Sequence, residues 1–90
     1  MTTFSEDEPI DVGHGVTIQA RRLDGRVGGF AWWHSCKDGR RAEDYVNTEP
    51  VGPNPGWALE SESPVTLSPS ILCRVCGFHG HVVDGRWIPT

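Results

Sequence analysis

The sequence predicts a mostly β fold of short antiparallel strands and hairpins with low helix content. The tripeptide Asp-Gly-Arg occurs at 24–26, 38–40 and 84–86, each time between segments of strand-like composition. Asp-Gly readily adopts the positive φ angles of tight hairpin turns. No segment of ten or more residues repeats its apolar side chains with helical periodicity. At 90 residues the core is small, and a bound metal commonly stabilises domains of this size.

Residues 1–13 are predicted to form a flexible N-terminal arm. This stretch is acidic and is interrupted by Pro9 and Gly13, a composition typical of disordered termini. Residues 14–90 are then predicted to form a single metal-stabilised β domain.

The strands of this domain follow apolar patterns and turn signals. The run VTIQARRL alternates with period two and places Val16, Ile18 and Ala20 on one side of a strand. After the Asp24-Gly25 turn comes the β-rich run VGGFAWWHSC. VGPNPGW and ESESP interrupt the chain as loops, and the segment around Asp84-Gly85 closes it as a hairpin.

The stretch FAWWHSC at residues 30–36 contains the first two candidate metal ligands. Successive side chains of a strand point to opposite faces, so His34 and Cys36 share one face and can bind one ion. Trp33 points to the other face.

The motif CRVCG at residues 73–77 contains a second pair. A tight turn brings the thiolates of Cys73 and Cys76 onto one centre, and Gly77 lets the backbone turn where a Cβ atom would obstruct it. Together with the first pair they form a Cys₃His set, which is a standard closed tetrahedral site for zinc. The sequence therefore predicts one structural Zn²⁺ in a zinc-ribbon-like domain.

His79 leaves the ligand set open. The spacing Cys76-x-x-His79 is as suitable as Cys73-x-x-Cys76, so five candidates compete for four positions. Either Cys73 is a ligand and His79 lies beside the site or on the surface, or His79 is the ligand and Cys73 packs nearby. His14 and His81 are expected in ordinary surface positions.

Redox and catalytic alternatives are disfavoured by the surrounding residues. Thioredoxin-type C-x-x-C motifs open a helix, whereas CRVCG precedes glycines and strand-like residues. Nucleobase deaminases have H-x-E and P-C-x-x-C, but here Cys36 replaces the glutamate and Leu72 replaces the proline. A fourth protein ligand would also occupy the position of a catalytic water. We therefore predict that the chain is not an enzyme.

The basic residues near the candidate ligands suggest a binding surface. The net charge of −4 disfavours general affinity for nucleic acid. Near the candidate ligands, however, the chain carries Arg40, Arg41, Arg74 and Arg86. With Trp33 they form a predicted partner-binding surface.

Three segments together resemble a known family: TLSPS at 66–70, CGFHG at 76–80 and DGRW at 84–87. The pattern is similar to that of an uncharacterised family of small phage and bacterial zinc-binding-type proteins, over roughly residues 30–90. The resemblance implies a compact zinc-binding β domain, often phage-encoded, with no transferable activity. Some relatives occur near bacterial ubiquitin-like conjugation genes.

The resemblance also bears on individual residues. It emphasises Cys76 and His79 as ligands and so favours the set without Cys73. In the TLSPS segment, Ser68 and Ser70 are expected to hydrogen-bond the backbone or the metal thiolates, a structural rather than a catalytic role.

These observations lead to a functional expectation. We expect a small non-enzymatic zinc-binding module, phage-encoded, that binds a host or phage protein. A nucleic-acid-binding zinc ribbon is the alternative, and a small zinc-dependent hydrolase or deaminase comes third. No apolar run approaches the roughly 20 residues of a membrane span, and no secretory signal is recognisable, so we expect a location in the cytoplasm, that of the host for a phage protein.

Overall fold

The structure, a computed structural model, describes residues 3–36, 39–49, 52–53, 56–62, 64–74 and 76–90, with the backbone alone for Pro69. Within these residues the chain forms nine strands and no helix. The strands are β1 (Phe4–Glu6), β2 (Ile10–Gly13), β3 (Val16–Leu23), β4 (Arg26–Ser35), β5 (Arg41–Asn47), β6 (Ala58–Glu62), β7 (Val65–Leu72), β8 (His79–Val83) and β9 (Arg86–Pro89). The prediction of a mostly β fold is confirmed. Among the described segments, none is a helix with the length and apolar character that a bilayer crossing requires.

The strands form two antiparallel sheets. In the first, β4 lies between β3 and β5, while β1 and β2 pair one after the other with the opposite edge of β3. The second sheet is a meander in the order β6-β7-β8-β9. Both sheets contribute side chains to one hydrophobic core, so they pack against each other through their inner faces.

Tight turns join neighbouring strands. The pairs His14-Gly15, Asp24-Gly25 and Asp84-Gly85 each have two consecutive positive φ angles, as in the type I′ turns that match the twist of a hairpin. The turns predicted at Asp24 and Asp84 are confirmed. The predicted turn at 38–40 lies partly outside the described residues, because Asp38 is not among them.

Residues 4–13 belong to the first sheet, which differs from the predicted flexible arm. β1 and β2 pair with β3, and two of the acidic side chains of this segment, Glu6 and Asp7, bind arginines of that strand. Glu6 lies 3.1 Å from Arg21, and the Arg22 guanidinium donates to Asp7 at 2.9 Å. The acidic composition that suggested disorder is thus matched by basic residues farther along the chain.

The core lies between the sheets and follows the alternation of the strands. Its largest fully buried side chains come from β3, β4, β7, β8 and β9: Val16, Ile18, Phe30, Trp32, Ile71, Val82 and Trp87. Burying these apolar surfaces is the main favourable contribution to folding.

Candidate metal centre and serine–histidine pair

Two segments from different sheets bring four candidate metal ligands together. His34 lies on β4 and Cys36 directly follows that strand, whereas Cys73 and Cys76 lie between β7 and β8. One ring nitrogen of His34 and the three cysteine Sγ atoms all lie within 4.8 Å of one another. The structure therefore brings together the first of the two predicted ligand sets.

The separations of these atoms fit a four-coordinate ion. A tetrahedral zinc site with bonds of about 2.3 Å to sulfur and about 2.0 Å to nitrogen places its ligand atoms about 3.5 to 3.8 Å apart. The Sγ atoms of Cys36 and Cys73 are 4.0 Å apart. His34 Nε2 lies 3.6 Å from Cys36 Sγ and 3.3 Å from Cys76 Sγ. These four residues could hold a metal ion such as zinc.

The backbone of the turn between β7 and β8 positions the two later cysteines. Cys73 N–H donates to Phe78 O at 2.7 Å, and Gly77 N–H donates to Cys73 O at 2.8 Å. Gly77 has a φ of 80°, in the left-handed region that favours glycine. The φ angle therefore favours glycine at this position, but the predicted obstruction is not found, because a Cβ atom here would meet no described atom within 4 Å.

Proton affinities in the cluster depend on the contacts between its members. Hydrogen bonding to Cys76, burial and hydrogen bonding to Cys73 raise the pKa of the Cys36 thiol to about 12. Burial lowers the pKa of His34 and so favours its neutral form. Neutral imidazole is the form that binds metals, and a coordinating thiol is deprotonated by the ion itself.

Aromatic rings connect this cluster to the core. His34 stacks on Phe78 with ring centroids 4.4 Å apart, and Phe78 stacks on Trp87 at 5.1 Å. Trp32 stacks on both Trp87 and His34. The candidate ligand His34 is thus held between side chains from both sheets, and Phe78 directly precedes His79.

His79 is not part of the cluster; its side chain contacts a serine instead. His79 Nε2 lies 2.6 Å from Ser70 Oγ, and the contact is partly buried. The structure thus does not support the predicted ligand set that contains His79. The prediction that Ser70 hydrogen-bonds the backbone or the thiolates also differs from this contact.

A bulge in β7 positions Ser70. From Leu67 to Ile71 this strand advances by four residues, whereas β8 advances by only two, from Val82 to Gly80. Such bulges change the direction of a side chain and are common beside active sites. The indole N–H of Trp57 donates to Ser70 O at 3.3 Å and so fixes the backbone of the bulge from the other side.

The contact has the geometry of a nucleophile and its general base. A serine hydroxyl becomes a useful nucleophile when an adjacent histidine nitrogen lies within about 2.6 to 3.2 Å and can accept its proton. In the described part of the chain we find no carboxylate hydrogen-bonded to the His79 ring, so the arrangement is a pair and not a Ser-His-Asp triad.

The residues of the predicted partner-binding surface are distributed over the molecule. Trp33 is half-buried on β4, and its indole N–H donates to Glu43 at 2.8 Å. The four arginines of this surface are exposed on β5, on β9, just before β5 and in the turn after β7: Arg41, Arg86, Arg40 and Arg74. Their role in partner binding stays a prediction.

Ser70 is the functional candidate that the sequence reasoning assigned to a structural role. One signal was present: strands on either side of a tight turn are paired, so a serine before the turn and a histidine after it can share a face. The two-residue shift that brings Ser70 and His79 together leaves no recognisable mark in the apolar pattern.

A family model described as "Bacterial ubiquitination-like system serine protease (BubE)" matches residues 4–90. No curated protein and no solved structure matches the chain. The family match contradicts the predictions that the chain is a non-enzymatic binding module and that it is not an enzyme. Those predictions assigned the function to a partner-binding surface around Trp33 and gave Ser70 a structural role. Because the match spans almost the whole length, the chain belongs to the BubE family of bacterial ubiquitination-like system serine proteases.

Proposed function

We propose that this chain is a serine peptidase of a bacterial ubiquitination-like system, with Ser70 as the nucleophile and His79 as the general base. The observation that carries the proposal is the 2.6 Å contact between Ser70 Oγ and His79 Nε2. The family to which the chain belongs is described by the same chemistry.

The proposed reaction proceeds through an acyl-enzyme. Ser70 Oγ attacks the carbonyl carbon of a peptide bond while its proton moves to His79 Nε2. The C–N bond then breaks, and the amine leaves with the proton from His79. Water next attacks the ester carbon and gives a proton to His79. The C–O bond to Ser70 breaks, Ser70 regains its proton, and the carboxylic acid is released.

The metal site has a structural role in this proposal, and zinc is the ion that fits it best. The ligands would be His34, Cys36, Cys73 and Cys76, three sulfurs and one nitrogen in a closed set. Four protein ligands leave no open position for a reacting water. Such an ion would join the first sheet to the turn that leads into His79, and so hold the general base in place.

The proposal is tested by labelling with a fluorophosphonate, which reacts with activated serines. Ser70 Oγ forms a bond to phosphorus, and fluoride leaves as the serine proton is taken up by His79. Intact-mass spectrometry should show one adduct on the wild-type chain and none on Ser70→Ala. His79→Gln should slow labelling by at least about 100-fold, because general-base assistance contributes on the order of 10²–10⁴.

Ser68→Ala is the matched control, because Ser68 lies on the same strand two positions away. This variant should be labelled at the wild-type rate. Undiminished labelling of Ser70→Ala, or labelling at a rate independent of His79, would contradict the proposed pair. Circular dichroism of each variant shows that a lost adduct reflects chemistry and not unfolding.

A further inference from the structure

A cleft of about 560 Å³ opens beside His79. Its walls come from both sheets and include His14 in the β2–β3 turn, Ser35 at the end of β4, Phe78, and Pro89 and Thr90 at the end of the chain. The ligands His34 and Cys76 also border it. This volume lies within the range of about 300 to 1,000 Å³ that is typical of ligand pockets.

The position of the cleft relative to the proposed pair indicates which side of the scissile bond it would bind. His79 lines the cleft, whereas Ser70 does not. In acyl transfer the base that receives the serine proton passes a proton on to the leaving amine. The leaving group therefore lies on the histidine side of the nucleophile. A cleft that borders the base but not the nucleophile is on the amine side of the scissile bond.

We propose that this cleft binds the part of the substrate that follows the scissile bond, the amine product of cleavage. The inference rests on the proposed function, because it takes Ser70 and His79 as nucleophile and base. It adds a binding site and a preferred class of ligand to that function.

The cleft favours an uncharged, apolar residue directly after the scissile bond. Among the described residues that line it there is no aspartate, glutamate, lysine or arginine. Phe78 and Pro89 provide apolar walls, and the hydroxyl groups of Ser35 and Thr90 can hydrogen-bond peptide groups. Six of the nine described lining residues are polar, yet most of the exposed lining surface is apolar, as in sites that combine apolar contact with placed polar groups.

The test uses the partitioning of the acyl-enzyme between water and added amines. With p-nitrophenyl acetate, Ser70 Oγ forms an ester to the acetyl carbon, and p-nitrophenolate leaves as a measurable burst. An amine then attacks this ester and gives its proton to His79, and Ser70 leaves as the hydroxyl. The product is the acetylated amine. Leucinamide should increase this product saturably, and more strongly than aspartic acid α-amide at equal concentration.

Ser35→Trp fills the cleft without altering the proposed pair, and Ser5→Trp makes the same change at an exposed position on β1. Ser35→Trp should lower the leucinamide partition ratio by about tenfold, comparable with changing a few methylene contacts in a specificity pocket. The ratio is measured on the acyl-enzyme that each variant forms, so it does not depend on the amplitude of the burst. Ser5→Trp should leave both quantities unchanged.

The outcomes separate the two proposals. A normal burst with equal partitioning in wild type and Ser35→Trp, or no preference for leucinamide, would overturn the cleft assignment and leave the serine chemistry intact. A wild-type chain with no more burst than Ser70→Ala would overturn the proposed function, and the cleft assignment with it.

Discussion

Ser70 and Cys73 are three residues apart, yet their side chains contact different partners. An odd separation along an extended chain directs two side chains to opposite faces. Cys73 is buried in the core-side cluster with His34, whereas Ser70 contacts His79. The candidate metal site and the proposed nucleophile can therefore lie close in sequence and still use different partner side chains.

Substitutions of single residues can test whether Cys73 or His79 is needed for metal binding. Cys73→Ser should lose the metal, because it removes one of four clustered ligands. His79→Ala should retain one metal ion per chain, because its ring contacts Ser70 and not the cluster. Native mass spectrometry with elemental analysis measures both, and His81→Ala serves as the control on the same strand. Metal loss in His79→Ala with retention in Cys73→Ser would contradict the cluster.

Strand β8 carries His79, the proposed base, and packs against β9. Gly80, the residue after His79, lies directly under Trp87. A Cβ atom at Gly80 would be 2.6 Å from Trp87 Nε1 and 2.7 Å from Ile88 O, distances at which a backbone or ring atom must move. The aromatic stack that reaches His34 includes Trp87 through Phe78. The packing of this strand pair thus affects both the proposed base and the candidate metal site.

Gly80→Ala should destabilise the fold by about 1 to 3 kcal/mol, as overpacking of a filled core does. Gly28→Ala is the matched control, since its Cβ would meet Leu23 Cδ1 at an ordinary 3.8 Å, and it should change stability by less than about 0.5 kcal/mol. Urea unfolding followed by tryptophan fluorescence measures both. Equal stabilities for the two variants would contradict the prediction, because they would show that a Cβ atom at Gly80 is accommodated as easily as one at Gly28.

Across the whole molecule, an arginine and the cysteine cluster each link the two sheets. Arg22 on β3 donates to Asp7 at 2.9 Å and also binds Glu62 on β6 of the second sheet. Hydrogen bonds from Arg22 hold the pKa of the Asp7 carboxyl below its ordinary value of 3.8. The two partners raise the pKa of Arg22, which stays charged at any pH at which the chain is folded.

The interaction between Asp7 and Arg22 should make the folded chain less stable as the pH is lowered. The pKa of Asp7 is lower in the folded state than in the unfolded state. Its interaction with Arg22 therefore stabilises the fold fully at a pH above the unfolded-state pKa, and this stabilisation is lost as the pH falls through the folded-state pKa. Wild type should therefore lose more thermal stability below about pH 4 than Asp7→Asn does. Melting curves between about pH 6 and 2 measure this, with Glu8→Gln, an exposed neighbour, as control. Identical acid profiles for wild type and Asp7→Asn would contradict the argument.

The fold class and the four clustered candidate ligands could be predicted from local patterns. Asp24-Gly25 and Asp84-Gly85 specify hairpin turns through backbone conformation alone. His34 and Cys36 share a face because they are two residues apart, and the C-x-x-C-G turn brings its cysteines together. Each of these relations depends on a few neighbouring residues, which is why sequence spacing is sufficient.

The local sequence determined the strands, their turns and the ligand pairs, because side-chain alternation and turn conformation act over a few residues. The tertiary structure decided three things that depend on pairing between distant segments. It placed β1 and β2 on the edge of β3, where arginines bind Glu6 and Asp7. It selected Cys73 over His79 in the cluster. It introduced the shift between β7 and β8 that brings Ser70 to His79, because strand register is fixed by packing of the whole sheet and not by either strand alone.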